Sequence, residues 1–299
     1  MRAVRLHEAG QPESLALEEI ATPQPAAGEA LVRVRAAAIT RDELEWPEDR
    51  LPATPSYELS GVVAAFGPGV SDGQPGEAVY GLTGFDRDGA AAEYAAVPAR
   101  FLARRPSSLG DVESAAVPLA ALSAWQGLFE HGRLEPGQRV LVHGAAGGVG
   151  HFAVQLGLSR GAHVVATTST AGVDLVRGLG TQEVVDSATT RFEEAVEPVD
   201  LVFDTGGGER LGRSAAVVRR GGRIVSVATE PPEADGITSV YFVVEPSREQ
   251  LVEIARLVDE RTLRPTIDRV FPLSEARAAF ERSLGSHGPG KIVLDVDTT

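Results

Sequence analysis

Between Arg139 and Gly150 the chain reads RVLVHGAAGGVG. Val140, Leu141 and Val142 make a short apolar, β-rich run, as a buried parallel strand should. A glycine-rich turn follows at once, and from His151 the spacing of Phe152, Gln155 and Leu156 turns helical. Strand, glycine turn and helix in that order is the setting a dinucleotide-binding turn needs. The spacing is Ala145-x-Gly147-x-x-Gly150, with Ala at the usual first Gly and Gly148 and Val149 inside. Gly147 lets backbone approach a pyrophosphate, and Gly150 lets helix and strand pack closely. Free N–H groups and the helix dipole at the helix start favour phosphate charge. The alternative is an ordinary strand-to-helix turn built from small residues.

The surrounding pattern supplies a frame for such a turn. From Gly137 onward, candidate strands at 139–143, 163–167, 183–186, 201–204, 223–227 and 240–244 alternate with candidate helices at 148–160, 173–179 and 209–218. Alternation of this kind argues for a doubly wound parallel sheet in the order 3-2-1-4-5-6. Residues 1–106 differ: short apolar or alternating runs at 1–6, 15–19, 31–38, 60–66, 76–81 and 91–97 are separated by Gly/Pro turns. They suggest a compact, partly open barrel. Residues 111–116 read as a helix stopped by Pro118, and 119–130 as a second helix. Helices at 247–261 and 274–283 and strands at 266–271 and 291–296 close the chain, and this mixed tail is expected to rejoin the first domain. The fold class is therefore α/β, a partly open β-barrel domain (1–119 and 247–299) with a Rossmann domain (120–246).

The chain has 299 residues, 43% hydrophobic, net charge −14 and no Cys. Disulfides, thiolate zinc sites and cysteine nucleophiles are excluded together. A surface this acidic repels phosphate backbones, so no nucleic acid partner is expected. No apolar run reaches membrane-spanning length, and MRAVRLHEAG lacks the apolar stretch of a signal peptide; a cytoplasmic location with no membrane partner is expected. Lys291 is the only Lys.

Four longer stretches extend the glycine turn: PLAALSAWQGLFEHGRLEPGQRVLVHGAAGGVGHFAVQLG (118–157), LVFDTGGGERLGRSAAVVRRGGRIVSV (201–227), LVDERTLRPTIDRVFPLSEARAAFERSLGSHGPGKIVLDV (257–296) and YELSGVVAAFGPGV (57–70). Together they resemble the quinone oxidoreductase branch of the medium-chain dehydrogenase/reductase superfamily, over nearly the whole chain. The resemblance implies a GroES-like catalytic domain around a Rossmann domain, an active-site cleft between them, NAD(P)H, hydride transfer, and a homodimer joined through the last Rossmann strand, here 240–244.

Zinc-dependent members of that superfamily carry a Cys near the end of the third strand and a His-Glu pair before the next. Thr40 and Tyr57-Glu58 stand at those positions, and a hydroxyl and a phenol do not make a stable zinc site. The structural zinc lobe is also missing, with only GFDRDGAAA between Gly84 and Ala92. His7, His131, His143, His151, His163 and His287 show no ligand spacing, so no metal is expected. At the end of the second Rossmann strand Ala166-Thr167-Thr168-Ser169-Thr170 offers no carboxylate for a ribose 2′-OH. Hydroxyls at Thr168 and Ser169 tolerate a 2′-phosphate, which favours NADPH (NADP). The Lys and Tyr that the family adds around that phosphate are absent; Arg177 is the nearest cation, and Ser187 stands in place of the Tyr.

By the resemblance, Ser123 lies near the nicotinamide and pyrophosphate, Gly206 and Gly207 where the adenine-side ribose passes, Val227 and Ala228 at the end of the fifth strand, Phe242 and Val243 against the nicotinamide amide, and Lys291 facing the pyrophosphate. Tyr57 is the first candidate to donate to a developing enolate or quinol oxygen, and Thr40 the second. Arg41, Asp42 and Glu43 would add charge near the mouth, and Trp46 would line the cleft. The leading expectation is zinc-free, NADPH-dependent reduction of a small-molecule quinone or enone. A zinc-free enoyl-thioester reductase and a non-enzymatic NADPH-binding protein remain as alternatives.

Overall fold

The computed structural model describes residues 1–47, 49–181, 183–285 and 288–297. Its strands are β1 (Arg2–Leu6), β2 (Leu15–Glu19), β3 (Glu29–Ile39), β4 (Glu58–Phe66), β5 (Ala78–Leu82), β6 (Tyr94–Pro98), β7 (Leu102–Arg104), β8 (Arg139–His143), β9 (His163–Thr168), β10 (Glu183–Asp186), β11 (Val199–Asp204), β12 (Val218–Ser226), β13 (Thr238–Tyr241), β14 (Ile267–Pro272) and β15 (Lys291–Asp295). The helices are α1 (Asp111–Ala115), α2 (Pro118–Trp125), α3 (Gly150–Ser159), α4 (Val173–Gly178), α5 (Phe192–Ala195), α6 (Gly208–Arg213), α7 (Arg248–Asp259) and α8 (Ala276–Leu284).

The central sheet runs β10-β9-β8-β11-β12-β13, all parallel, which is the expected order. β8 shows why its apolar run is unbroken. Val140 and Val142 face one core with Phe152 of α3 and Leu122 of α2, while Leu141 faces another with Val165, Val202 and Phe192. Both faces are covered, so no polar alternation survives.

The second sheet runs β14-β15-β3-β4-β5-β7, with β6 also on β3. In β3, Val32 and Val34 are buried and Arg33 is exposed, the alternation of a half-covered strand. Ala36, Ala37 and Ala38 are all buried because α1 closes the other face there, over Ala36 and Ala38. β15 pairs antiparallel with β3, and β14 parallel with β15. The tail thus joins the first sheet. α7 sets Leu251, Ile254 and Val258 into the same core as α2 and α3, and Tyr80 Oη on β5 donates to Leu251 O at 2.6 Å.

Several boundaries differ from the sequence expectation. Pro118 does not end α1; it opens α2 in the first helical position, where its missing N–H costs no hydrogen bond. The second helix widens into a π-helical turn over Gln126–His131. The helix expected at 209–218 stops at Arg213, and Val218 already belongs to β12. The last central strand ends at Tyr241 rather than 244, because the Phe242 ring turns inward against His131, 4.3 Å between centroids. β7 and α5 were not anticipated; at three and four residues they are too short to show a period. Among the described residues no helix is long and apolar enough to cross a membrane.

Candidate active site

The glycine turn is built as its spacing requires. Gly144 has φ +73°, so the chain leaves β8 in a conformation that favours glycine. Ala145 and Gly150 are buried; Gly147, Gly148 and Val149 stay half-open. A Cβ on Gly150 would lie 2.1 Å from Gly144 O, so only glycine lets α3 start this close to β8. The half-open backbone at the head of a ten-residue helix suits a pyrophosphate.

This turn is also stitched to the far end of the chain. Gly147 and Gly290 form a parallel bridge, and Gly290 N donates to Ala146 O at 2.9 Å. Beneath it His151 Nδ1 lies 2.9 Å from Gly147 O, and its Nε2 accepts from Thr266 N at 3.1 Å. A carbonyl only accepts and an amide N–H only donates, so the ring is neutral with its proton on Nδ1. Burial agrees, pushing the imidazole down to about 4. The sequence reading assigned His151 no role; its partners come from 115 residues downstream and within its own turn.

Asp204 at the end of β11 ties two loops together. Its Oδ2 accepts from Gly207 N at 2.7 Å and from Ser226 Oγ at 3.1 Å. Ser226 Oγ in turn accepts from Ala228 N and Thr229 N. Burial raises the Asp204 carboxyl above its ordinary range, opposed by those N–H and O–H donors. Gly206, Gly207, Val227 and Ala228 are therefore gathered around a carboxylate that the sequence reading passed over. Ser123 is buried in α2, at 3% exposure. Phe242 N donates to Ser226 O at 3.2 Å, whereas Val243 is exposed.

At the end of β9 the two hydroxyls part company. Thr168 is buried, and a Cβ on Gly172 would lie 2.2 Å from its Oγ1, so that hydroxyl is tucked under the following turn. Ser169 is exposed. Arg177 is exposed in the last turn of α4 and makes no side-chain hydrogen bond among the described residues.

The barrel side of the cleft carries a buried polar cluster. Lys291 Nζ lies 2.5 Å from Glu58 Oε1 and donates to Ile39 O at 2.9 Å and Thr40 Oγ1 at 3.4 Å. Its stem runs past the glycine turn, where a Cβ on Gly148 would meet Lys291 Cδ at 2.7 Å. The ammonium is thus turned onto the barrel rather than into open solvent. Glu58 also accepts from Leu119 N at 2.9 Å, which fixes the start of α2. Glu43, expected near the mouth, is instead fully buried and accepts from Ser56 N at 3.0 Å. Burial pushes its carboxyl up to about 8, with Glu58 adding to the rise and Lys291 opposing it.

Tyr57 follows Ser56 and is likewise buried. Its ring packs between Trp46 and Phe85, with centroids at 5.4 and 5.7 Å. Arg50 Nη2 donates to Tyr57 Oη at 3.1 Å and to Phe85 O at 2.7 Å. The phenol oxygen already accepts one bond, so its hydrogen remains for a partner. Burial raises the Tyr57 phenol above its usual range, and Arg50 counters it. Trp46 is half-buried against Tyr57 and Phe85, while Arg50 was missed because nothing in the loop sequence fixes its direction.

No three His, Cys, Asp or Glu side chains converge as a metal site among the described residues; His287 lies outside them. Thr40 and Tyr57 present oxygens that are hydrogen-bonded to cations, a poor donor set for zinc.

The chain matches the family model for the alcohol dehydrogenase GroES-like domain over residues 26–107 and that for zinc-binding dehydrogenase over 179–294. It is 31% identical to 2-methylene-furan-3-one reductase of Solanum lycopersicum, covering 98% of this chain and 79% of that protein. It is 38% identical to a segment of polyketide synthase GfsB of Streptomyces halstedii, covering 80% of this chain and 4% of that protein. The solved quinone oxidoreductase of Coxiella burnetii superposes with a TM-score of 0.94 at 30% identity, covering 99% of each chain. With its parallel sheet, glycine turn and GroES-like barrel, the chain belongs to the medium-chain dehydrogenase/reductase superfamily, among the relatives of the quinone oxidoreductases.

Proposed function

We propose that this protein is a zinc-independent, NADPH-dependent oxidoreductase acting on a quinone or an α,β-unsaturated carbonyl. The observation that carries this reading is Tyr57, a buried phenol held by Arg50 at the position where zinc-dependent relatives place a metal ligand. When bound, the reduced nicotinamide supplies a hydride. The chain's own part is to seat the pyrophosphate on Gly147–Val149, to exclude water with the Trp46–Tyr57–Phe85 cluster, and to meet the oxygen that becomes negative. Tyr57 Oη donates to that oxygen, and Arg50 strengthens the donor. Thr40, held by Lys291, is a second donor. The proton that completes the quinol or ketone comes from solvent, since burial keeps the phenol protonated.

Supporting arguments extend to the assembly and the domains. β13 is one of the two edges of the central sheet among the described residues, and Tyr241 and Val243 beside it are exposed, which suits pairing with a second copy. Our division of the chain is 1–119 with 247–299, and 120–246.

The test is a fluorescence titration with NADPH and NADH, followed by phenanthrenequinone or an enone and loss of nicotinamide absorbance, before and after a chelator. Turnover that survives chelation supports the reading; loss with the chelator overturns zinc independence. The segment similar to a polyketide synthase favours one other reading, enoyl-thioester reduction. Turnover of an enoyl thioester in preference to quinone and enone would select it.

A further inference from the structure

Arg210, on α6, reaches across to the end of the neighbouring strands. Its Nη1 is 3.3 Å from Ser187 Oγ, and Nη2 lies 3.4 Å from where a Cβ of Gly206 would stand. Ser187 is itself fixed on the end of β9: its N and Oγ both donate to Thr168 O, at 2.9 and 3.0 Å. That strand end is where a Rossmann domain reads the adenosine ribose. Ser187, Thr189 and Thr190 line a cavity of about 200 Å³ together with Arg210 and Arg213.

The cations around this cavity are not equivalent. Arg213 is paired with Glu193 and Glu209, and Arg191 with Glu193 and Glu194. Arg210 forms no carboxylate ion pair among the described residues; Asp204 senses its charge without a hydrogen bond between them. A half-buried guanidinium with an unclaimed charge, in a chain of net charge −14, faces a pocket rimmed by hydroxyls. Meanwhile Thr168 Oγ1 is tucked under Gly172, and Arg177 is exposed and makes no side-chain hydrogen bond among the described residues.

We propose that Arg210, positioned by Ser187, is the residue that selects NADPH by binding its 2′-phosphate from the α6 side. This rests on the NADPH reading above. A guanidinium suits the task because its planar fork can hold two phosphate oxygens at once.

The test measures the affinity of NADPH, NADH and 2′,5′-ADP for the full chain and for Arg210→Met and Arg210→Lys, by nicotinamide fluorescence and competition. We expect the chain to prefer NADPH. Arg210→Met should lower NADPH and 2′,5′-ADP affinity by about 10- to 100-fold and leave NADH within about twofold. Arg210→Lys should recover part of the loss, because it keeps charge but not the fork. Retained NADH binding reports that the variant is folded. A chain that prefers NADPH, with Arg210→Met keeping the same ratio, overturns the role of Arg210 alone. A chain that binds both nucleotides equally overturns the NADPH reading and this inference with it.

Discussion

Lys291 Nζ stands 2.5 Å from Glu58 Oε1 with side-chain exposures of 5% and 1%. The pair joins the last strand of the barrel sheet to β4. Removing one member strands a buried charge, whereas removing both does not. Lys291→Met is expected to lose about 3–5 kcal/mol of stability. The double variant Glu58→Gln/Lys291→Met should regain most of it, since the amide oxygen still accepts from Leu119 N. Urea unfolding of the four proteins checks this; equal losses in single and double variants would refute it.

Glu43 gives a pH dependence of defined sign. Its folded carboxyl titrates at about 8 against an ordinary 4.5, so between those values the folded state holds a proton the unfolded state has released. Stability from this group is constant below 4.5, falls as pH rises, and reaches its full loss above 8. The slope is at most about 1.4 kcal/mol per pH unit. Glu43→Gln should remove that slope and be more stable than the parent at pH 8. An unchanged slope in denaturation between pH 5 and 8 would contradict the buried neutral acid.

The buried histidines act in the opposite direction. His151 titrates at about 4 and His143 at about 3, both below the ordinary 6.5 because burial disfavours the cation. The unfolded chain binds protons first as pH falls, so stability is complete above 6.5 and declines below it. His143 is neutral between Thr167 Oγ1 at 2.9 Å and Ser214 Oγ at 3.1 Å. Nitrogen-15 spectra at pH 5.5 should show both rings neutral, with the His151 proton on Nδ1. An imidazolium signal for His151 at that pH would sink the assignment.

Tyr57→Phe removes the hydroxyl and keeps the ring packed against Trp46 and Phe85. We expect kcat to fall about 10- to 100-fold with nicotinamide affinity unchanged, in line with loss of one donor to a developing oxyanion. Arg50→Met should show a smaller fall of the same kind, because the phenol remains but loses its donor. Steady-state kinetics with a quinone and direct cofactor titration separate these effects; weakened cofactor binding in Tyr57→Phe would contradict them.

The parts of this molecule legible in its sequence are those whose cause is local. The unbroken apolar run of β8, the glycines around Gly147 and the alternation of β3 each report a nearby constraint on backbone or burial. What stayed hidden depends on partners far apart in the chain. Glu43 reads as a surface charge beside Arg41 and Asp42, until Ser56, Lys291 and Glu58 are placed around it as a buried acid. Lys291 reads as a free cation until Glu58 is placed beside it. Arg210 looks like one more arginine on an exposed helix, and Ser187 like a missing tyrosine, until α6 brings them to 3.3 Å. Thr168 was read rightly as a strand end, but the next turn decides where its hydroxyl points.

The bridge between Gly147 and Gly290 has a consequence for the order of biosynthesis. The glycine turn leaves the ribosome long before its cross-strand partner does, because nearly half the chain lies between them. A nascent protein that has made β8 through β13 has the whole parallel sheet but not the strap that pins Ala146 and Gly147. The same late segment supplies Lys291 to Glu58 and β15 to β3. The last described strand therefore completes barrel, ion pair and glycine turn together, so a ribosome-stalled chain lacking it would miss all three contacts at once.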